Sequence, residues 1–151
     1  FHRPQIKWSA HEAGCSIGVL ASLLAERCDE LLAVDIAQKA VDAARERLAP
    51  MPHVRVDRRT LPAEWPQGPF DLVVCSELLY YWDRATLAEA LGAIAASVAP
   101  AGRLVAVHYR PPSSIDPLTG DVVHALLRER LGLAHVESDA NDAFVLDVFE
   151  A

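Results

Sequence analysis

Short apolar segments alternate along this chain with amphipathic ones, and this alternation constrains the fold more than any other feature. Residues 70–75 (FDLVVC), 103–107 (RLVAV) and 31–34 (LLAV) are nearly all apolar, as is typical of strands buried on both faces. Val54 and Val56 alternate with arginines, which predicts a further strand. Apolar residues spaced three and four apart predict helices over residues 17–27, 38–48, 85–98 and 121–131. Strands and helices in this order predict a parallel sheet with helices on both faces.

The two ends of the pattern are less regular. The first strand, WSAHE at residues 8–12, carries His11 and Glu12 where valine or isoleucine is typical. We expect the Pro-Ala-Gly at 100–102 to separate a helix from the strand that follows. Residues 134–149 read as two strands joined by a turn rich in Asp and Asn, which predicts an antiparallel hairpin. The expected fold is therefore α/β, with a doubly wound, mostly parallel seven-stranded sheet, an antiparallel C-terminal hairpin and helices on both faces.

Composition limits the class of protein. A chain of 151 residues, of which 52% are hydrophobic and 23% charged, predicts one globular domain over residues 1–151. The net charge is −7 and no cluster of Lys or Arg stands out, so long nucleic acid is not an expected partner. No apolar run has the length of a membrane span, and there is no signal peptide pattern. We expect a protein that acts on a small molecule, and the oligomeric state stays open.

The three cysteines, Cys15, Cys28 and Cys75, are odd in number and form neither a CxxC pair nor a Cys/His zinc pattern. We interpret them as reduced thiols of a cytoplasmic protein and predict no metal site. Cys15 stands beside a predicted helix start, a position that can lower the pKa of a thiol. The first residues, FHRPQIKWS, resemble the end of a longer segment. The chain is thus expected to be a fragment or to lack an N-terminal part.

A glycine loop, EAGCSIG at residues 12–18, follows the first strand and opens the first helix. Sheets of this kind bind ligands outside the carboxyl ends of their strands. We expect Gly14 to let the backbone approach a ligand and Gly18 to let the helix pack near the sheet. The spacing is not the GxGxxG of dinucleotide-binding loops. Asp35 ends the second strand, where a carboxylate can accept both hydroxyls of a ribose, and the alternative is a tight turn with a solvated Asp.

Together these motifs resemble the class I S-adenosylmethionine (SAM)-dependent methyltransferases over nearly the whole chain. EAGCSIG matches the family's E/D-x-G-x-G-x-G with Ser16 in place of the middle glycine, and DRRTLP at 57–62 resembles its D-A-x-x-L-P. FDLVVCSELLYYW resembles the fourth-strand motif, and LAPAGRLVAV is close to L-x-P-G-G-x-L. GCSIG together with SELLYYW is most similar to the NodS-like branch, named for N-methyltransferases that act on the free amine of a chitooligosaccharide.

The resemblance implies a Rossmann-like sheet that binds SAM and releases S-adenosylhomocysteine. The residues that it implies for the cofactor are Glu12, Gly14, Cys15, Gly18, Asp35, Ile36, Asp57, Arg58 and Ser76. In this interpretation Asp35 holds the ribose, Ile36 lies on the adenine and Asp57 bonds the adenine amino group. Glu12 bonds the loop backbone or the SAM amino group. The alternatives are core packing for Ile36, a solvated loop for Asp57 and a brace of the turn for Glu12.

Polar and aromatic side chains after the fourth and fifth strands are the candidates for the reaction itself. Glu77 is the first candidate for steadying an amine or accepting its proton, and His108 is the second candidate base. The alternatives are a helix-dipole partner for Glu77 and a structural role for His108. Tyr80, Tyr81 and Tyr109 are candidates for binding the substrate, or else pack in the core and at the rim. We expect His124 to face solvent or the neighbouring loop.

The resulting hypothesis is methyl transfer from SAM to a small-molecule acceptor, most simply an amine nitrogen, with an amino sugar or a hydroxyl as further options. Members of the family carry N-terminal helices that close over the cofactor, and we expect these to be missing or truncated here. One rival is a SAM-fold subunit that binds without catalysis. The other is a nicotinamide-dependent oxidoreductase, for which the glycine spacing is wrong and the chain is short.

Overall fold

The computed structural model describes residues 8–151, and the expected loss of N-terminal cap helices concerns residues outside this range. The strands of the sheet are β1 (Ser9–Ala13), β2 (Glu30–Asp35), β3 (Val54–Arg58), β4 (Phe70–Ser76), β5 (Val98–Tyr109), β6 (Ala134–Ala140) and β7 (Phe144–Glu150). The helices are α1 (Val19–Ala25), α2 (Gln38–Leu48), α3 (Arg84–Ala96) and α4 (Gly120–Arg130), with a short 3₁₀ turn at Leu79–Tyr81.

These strands form one seven-stranded sheet in the order β3-β2-β1-β4-β5-β7-β6. Strands β1 to β5 pair in parallel, whereas β7 lies antiparallel between β5 and β6. The predicted fold class is therefore confirmed. After β3 the chain crosses to the other side of β1, so the order reverses between β1 and β4. A reversal of this kind opens a crevice at the carboxyl ends of the two strands, and ligands of doubly wound sheets bind there.

Apolar side chains form a core on each face of the sheet. Helices α1 and α2 cover one face, and α3 and α4 contribute to the other cluster. Strand β4 shows the division, because Leu72 packs with the first cluster and Val73 and Cys75 with the second. Successive side chains of a strand point to opposite faces, so the near-continuous apolar pattern of β4 follows from burial on both sides. In residues 8–151 no helix combines the length and the apolar character needed to cross a bilayer.

The irregular first strand forms as predicted, and its polar residues find specific surroundings. His11 is fully buried, and its Nδ1 donates to the carbonyl of Leu32 at 2.8 Å. Its ring stacks on Phe70 and meets Trp65 edge-on. Burial lowers the pKa of His11 to about 4, so the imidazole is neutral and packs like an aromatic residue. Tertiary packing thus makes a strand from a sequence of low β propensity.

One boundary differs from the prediction. Strand β5 begins at Val98, so the Pro-Ala-Gly lies within a strand rather than before it. The pairing with β4 shifts register across this segment, from Phe70 opposite Val98 to Leu72 opposite Arg103. Ala101 adopts a positive φ of 62°, as expected where a bulge inserts extra residues. The turn signal in the sequence therefore marks an irregularity inside a strand.

Gly18 is the N-cap of α1 and has a φ of 87°, in the left-handed region that only glycine adopts at low cost. A Cβ atom here would lie 3.1 Å from the Cβ of Ala44 in α2. The close neighbour of Gly18 is therefore α2. The sequence predicts close packing against the sheet instead.

We expect Gly18→Ala to lower the free energy of unfolding by about 1–3 kcal/mol, since it adds backbone strain to a steric contact. Urea unfolding followed by circular dichroism measures the change. Gly92→Ala in α3 is the matched control, because nothing lies within 4 Å of a Cβ at that position. It should be neutral or stabilise the helix by up to about 1 kcal/mol. Equal effects of the two substitutions would contradict the assignment.

Candidate active site

A cleft of about 530 Å³ opens at the carboxyl ends of β1, β2 and β4. Its wall consists of the glycine loop, the end of β2 at Asp35 and Ile36, and the turn after β4 with Tyr81. A second cleft of about 340 Å³ adjoins it and shares Gly14, Asp35, Ile36, Leu78 and Tyr81 with it. The two form one continuous site at the crevice that the strand order predicts, and their volumes suit a small molecule.

The glycine loop follows a path with alternating left-handed residues. Gly14, Ser16 and Gly18 have φ values of 76°, 50° and 87°. Ser16, which replaces the middle glycine of the family motif, therefore has a left-handed conformation that glycine adopts at lower cost. A side chain at Gly14 would meet Leu78 across the cleft at 3.2 Å, so the absence of a Cβ leaves that space open.

Asp35 fixes this loop to the start of α2. Its Oδ2 accepts a hydrogen bond from the backbone N–H of Ser16 at 2.9 Å, and its Oδ1 accepts one from Ala37 at 3.0 Å. An ionised carboxylate has about four acceptor positions, so each oxygen can still accept a bond from a ligand hydroxyl. Ile36 beside it is 56% exposed and faces both clefts. Its side chain is thus available to a flat apolar group rather than packed in the core.

Glu12 lies at the bottom of the cleft, where it is 3% exposed. Its Oε2 has no hydrogen-bond partner, which is costly for a buried polar atom. Burial, together with the charge of Asp35, raises the pKa of Glu12 to about 8. A buried carboxyl group with an unused oxygen is suited to a cationic or hydrogen-bond-donating group of a ligand. It supports the assignment of Glu12 to the amino group of SAM over a role as a brace of the turn.

The raised pKa of Glu12 makes stability depend on pH. A carboxyl group whose pKa rises from 4.5 to about 8 on folding contributes its full stabilisation below pH 4.5. The fold loses this contribution as pH rises through about 8. The free energy of unfolding of the wild type should fall by a few kcal/mol between about pH 5 and pH 9. We expect Glu12→Gln to abolish this fall. Thermal unfolding across this range measures it. Glu89→Gln, an exposed change on α3, is the control, and parallel curves for wild type and Glu12→Gln would contradict the assignment.

Cys15 is a buried, neutral thiol in the wall of the cleft. The thiol is 3% exposed, and burial raises its pKa to about 12, assisted by the charges of Glu12 and Asp35. The helix start does not lower the pKa of this thiol, because lost hydration and the neighbouring carboxylates favour the neutral form. Cys15 contributes to the cleft wall as a small apolar side chain.

Ser76 and Glu77 reach the cleft from the end of β4. Glu77 has a positive φ of 54°, a strained conformation for a residue with a side chain. Its Oε1 accepts a hydrogen bond from the backbone N–H of Tyr109 at 2.7 Å, and its Oε2 accepts one from the hydroxyl of Tyr80. Burial and the Glu77 carboxylate raise the pKa of Tyr80, so this phenol stays a donor. The carboxylate is thus oriented at the rim by two donors.

The three predicted substrate tyrosines have different surroundings. Tyr81 is 56% exposed and lines both clefts. Tyr80 is buried and supports Glu77 instead. The Tyr109 ring packs edge-on against Phe144, and only its backbone N–H reaches Glu77. The structure therefore brings one of these rings to the site.

His108 is fully buried and lies behind the rim, not in the cleft. Its Nε2 accepts a hydrogen bond from Leu79 N at 3.1 Å, and burial lowers its pKa to about 3. A ring in this position has no free nitrogen that faces the cleft, which argues against its predicted role as a base. The expectation that His124 faces solvent is wrong, because it too is fully buried, bonded to His108 and Asp147.

Asp57 and Arg58 lie on β3, beside the site rather than in it. The Asp57 carboxylate pairs with Arg55 at 2.9 Å and with Arg59 at 3.3 Å, and Arg58 donates to the carbonyl of Ile36. Residues outside the predicted site also line the two clefts: Ile17, Val19, Leu20, Arg59, Leu61 and Leu78. These residues could have been found from the sequence, because their positions fall within or beside the quoted motifs. Over residues 8–151, no group of three or more His, Cys, Asp or Glu side chains is placed to hold a metal ion.

Comparison with known proteins settles the family. A family described as "Methyltransferase domain" matches residues 11–102. The chain belongs to this family. It is a class I SAM-dependent methyltransferase domain of the NodS-like branch, as the motifs predict. Nodulation protein S of Rhizobium tropici is 33% identical over 98 residues, which cover 64% of this chain and 41% of that protein. The chain thus spans less than half the length of this relative.

Solved structures agree with this assignment. A putative methyltransferase from Pseudomonas syringae superposes with a TM-score of 0.83 at 41% identity, covering 99% of this chain and 91% of that one. The N-methyltransferase NodS from Bradyrhizobium japonicum WM9, in complex with S-adenosyl-L-homocysteine, superposes with a TM-score of 0.83 at 24% identity. The superposition covers 95% of this chain and 77% of that one, and at this identity it shows the shared fold.

The residues present fit the cofactor of this family. The unpartnered oxygen of Glu12 suits an ammonium group, and Asp35 keeps acceptor positions for hydroxyls. The exposed side chain of Ile36 offers an apolar surface, and the missing Cβ of Gly14 keeps the path between them open. One cleft therefore contains an acidic, a hydroxyl-accepting and an apolar portion. These portions suit the amino group, the ribose hydroxyls and the adenine of SAM, respectively.

Proposed function

We propose that this domain transfers a methyl group from SAM to an amine nitrogen of a small molecule. The observation that carries the proposal is the Glu77 carboxylate, which two donors orient at the rim of the cleft. NodS from Bradyrhizobium japonicum, which shares this fold, is an N-methyltransferase, and this supports the amine. An amino sugar is one member of this class of acceptor.

In this proposal Glu12 holds the amino group of the cofactor, Asp35 its ribose hydroxyls and Ile36 its adenine. SAM, when bound, supplies a methyl group that the neighbouring sulfonium already activates. The protein therefore has to orient the acceptor and exclude water, because the methyl donor needs no further activation. Leu78 and Tyr81 line both clefts and offer apolar and aromatic surface to the bound molecules.

Glu77 acts on the acceptor. An amine attacks only as the free base, so its ammonium form has to lose a proton, and the Glu77 carboxylate is placed to accept it. Tyr80 and Tyr109 each occupy one position on this carboxylate, which leaves further lone pairs toward the cleft. The exposed ring of Tyr81 adds a surface that attracts a cation. A carboxylate and an aromatic ring together favour an amine over a neutral hydroxyl.

The remaining properties are inferred from the composition. A net charge of −7 favours cationic small molecules over nucleic acid. The cysteines are free thiols, as suits the cytoplasm. The assignment of residues 1–151 to one domain stays a prediction.

The test is a screen in which the protein is incubated with SAM and with separate sets of amines, amino sugars and hydroxylated metabolites. Formation of S-adenosylhomocysteine and of the methylated product is followed by mass spectrometry. We expect turnover with members of the amine sets. Turnover confined to the hydroxylated set would contradict the amine assignment. Binding of SAM without S-adenosylhomocysteine formation from any set would instead favour a non-catalytic binding subunit.

A further inference from the structure

Three buried polar side chains form a line behind the rim, and the proposed chemistry does not use them. They are His108 on β5, His124 on α4 and Asp147 on β7, and all three are fully buried. His108 Nδ1 lies 2.9 Å from His124 Nε2, and His124 Nδ1 lies 2.6 Å from Asp147 Oδ2. Buried polar networks are costly unless every member is paired, so this one calls for an explanation.

The hydrogen bonds fix the position of every proton in this line. His108 Nε2 accepts from the backbone N–H groups of Leu79 at 3.1 Å and Leu78 at 3.4 Å, so it carries no proton. The proton of His108 is therefore on Nδ1 and is donated to His124 Nε2. His124 in turn carries its proton on Nδ1 and donates it to Asp147. Burial lowers the pKa of both rings, which keeps them neutral.

Asp147 anchors the line at its far end. Arg128 donates to its Oδ2 at 2.9 Å and 3.1 Å, and His135 Nε2 lies 2.6 Å from its Oδ1. Burial alone would raise the pKa of Asp147, but the hydrogen bonds from Arg128, His124 and their neighbours outweigh it and hold the pKa at about 2. The carboxylate is thus ionised, and its negative charge selects the tautomer of His124 that donates from Nδ1.

The near end of the line meets the segment that carries the rim carboxylate. Leu78 and Leu79 directly follow Glu77, whose backbone is strained at a positive φ. Strand β5 also binds Glu77 itself, because Glu77 N donates to Val107 O at 2.9 Å and Tyr109 N donates to its carboxylate. Three consecutive residues of β5 therefore hold the rim segment, defined as residues 77–81. His108 is the one that does so through its side chain.

The start of α4 shows how His124 reaches this line. Gly120 lies so close to the carbonyl of Tyr109 and to the Cβ of His108 that a side chain at Gly120 would clash with β5. The missing Cβ lets α4 approach the strand, and His124 lies one turn further along the helix. The close approach of α4 to β5 thus places His124 within hydrogen-bond distance of His108.

We propose that His108, His124 and Asp147 form a positioning relay that fixes the rim segment and thereby holds the Glu77 carboxylate in place. None of the three lines the cleft, so they act through Glu77 and are not catalytic residues. The proposal rests on the proposed function only in the role that it gives to Glu77. The proton order and the hold on Leu78 and Leu79 stand independently of any acceptor.

The proton order is tested on the full chain labelled with ¹⁵N-histidine, by long-range ¹H–¹⁵N NMR. We expect His108 and His124 to be neutral near neutral pH, each with its proton on Nδ1. His53 is an internal control, because its Nε2 faces the carbonyl of Ala25 at 2.7 Å and should carry the proton of the neutral ring. A proton on Nε2 of His108, or a doubly protonated His108 ring, would overturn the relay.

The hold on the rim segment is tested with His124→Phe, which cuts the relay, and with His135→Phe as the matched control. Both remove one histidine from Asp147, but His135 lies outside the line to the rim. We expect His124→Phe to speed amide hydrogen exchange at Leu78, Leu79 and Tyr109 by at least about tenfold, because the local structure opens more readily. His135→Phe should leave these amides unchanged. His124→Gln offers an acceptor near the Nε2 position and should restore most of the protection.

Unchanged exchange at Leu78 and Leu79 in a folded His124→Phe variant would overturn the proposal. If that variant does not fold, His124→Gln and the tautomers of the wild-type protein decide. Calorimetry with S-adenosylhomocysteine is run on the same samples, and we expect affinities within about twofold of wild type, since the relay does not contact the cleft. Failure of all samples to bind would count against the proposed function and not against the relay.

Discussion

Asp35→Ala is expected to weaken SAM binding by at least about tenfold, the largest effect on the cofactor that we predict from one side chain. The substitution removes the acceptor for two ligand hydroxyls, which costs about 1–3 kcal/mol when they stay unpaired. It also releases the backbone N–H groups of Ser16 and Ala37, which shape the glycine loop and the start of α2. Both consequences reduce affinity.

Isothermal titration calorimetry with SAM and with S-adenosylhomocysteine measures this loss. Asp139→Ala is the matched control, because it removes the same charge from an exposed position on β6, at the far edge of the sheet. It should bind as the wild type does. Unchanged affinity of a folded Asp35→Ala variant would refute the assignment of Asp35 to the ribose.

Glu77→Gln is expected to lower kcat by about a hundredfold or more while the affinity for SAM stays close to that of the wild type. A glutamine can still accept the bond from Tyr109 N through its amide oxygen, so the rim keeps its shape. It cannot take a proton from an ammonium group, and losing a general base typically costs about 10²–10⁴-fold.

Initial rates with an acceptor from the amine screen, together with calorimetry, separate the two effects. Glu89→Gln on α3 carries the same chemical change at an exposed site and should retain full activity. A loss confined to cofactor binding would move Glu77 out of the reaction and into the cofactor site. An unchanged kcat would remove its catalytic role altogether.

The fold was largely predictable from the sequence because burial on both faces of a parallel sheet leaves a strong apolar pattern. The strand at 70–75 and the helix at 38–48 match the structure closely. The start of β5 was not predictable, since a bulge with Ala101 at positive φ resembles a turn in local sequence. His11 shows the reverse case, in which a polar residue enters a strand because tertiary contacts accept it.

The lining of the cleft was predictable where a motif fixes backbone geometry. The motifs place Gly14, Asp35, Ile36 and Glu77 at strand ends, and strand ends meet at one edge of the sheet. Ser16 adopts a left-handed conformation despite its side chain, which no spacing rule reveals.

What depends on distant partners was not predictable. The orientation of His124 is set by Asp147, which lies 23 residues away on another element. The pKa of Cys15 is set by burial and by two carboxylates that the fold brings beside it. Tyr80 and Tyr81 are neighbours in sequence, yet one supports Glu77 and the other faces the cleft. Such differences arise from packing, and a motif of consecutive aromatic residues does not encode them.

We propose that the cleft at the ends of β1, β2 and β4 binds SAM. Calorimetry on the wild-type chain with SAM, S-adenosylhomocysteine and NADH measures this binding. We predict that both SAM compounds bind at one site per chain, that Asp35→Ala weakens both, and that NADH does not bind. Binding of NADH without binding of either SAM compound would show that the cleft is not a SAM site.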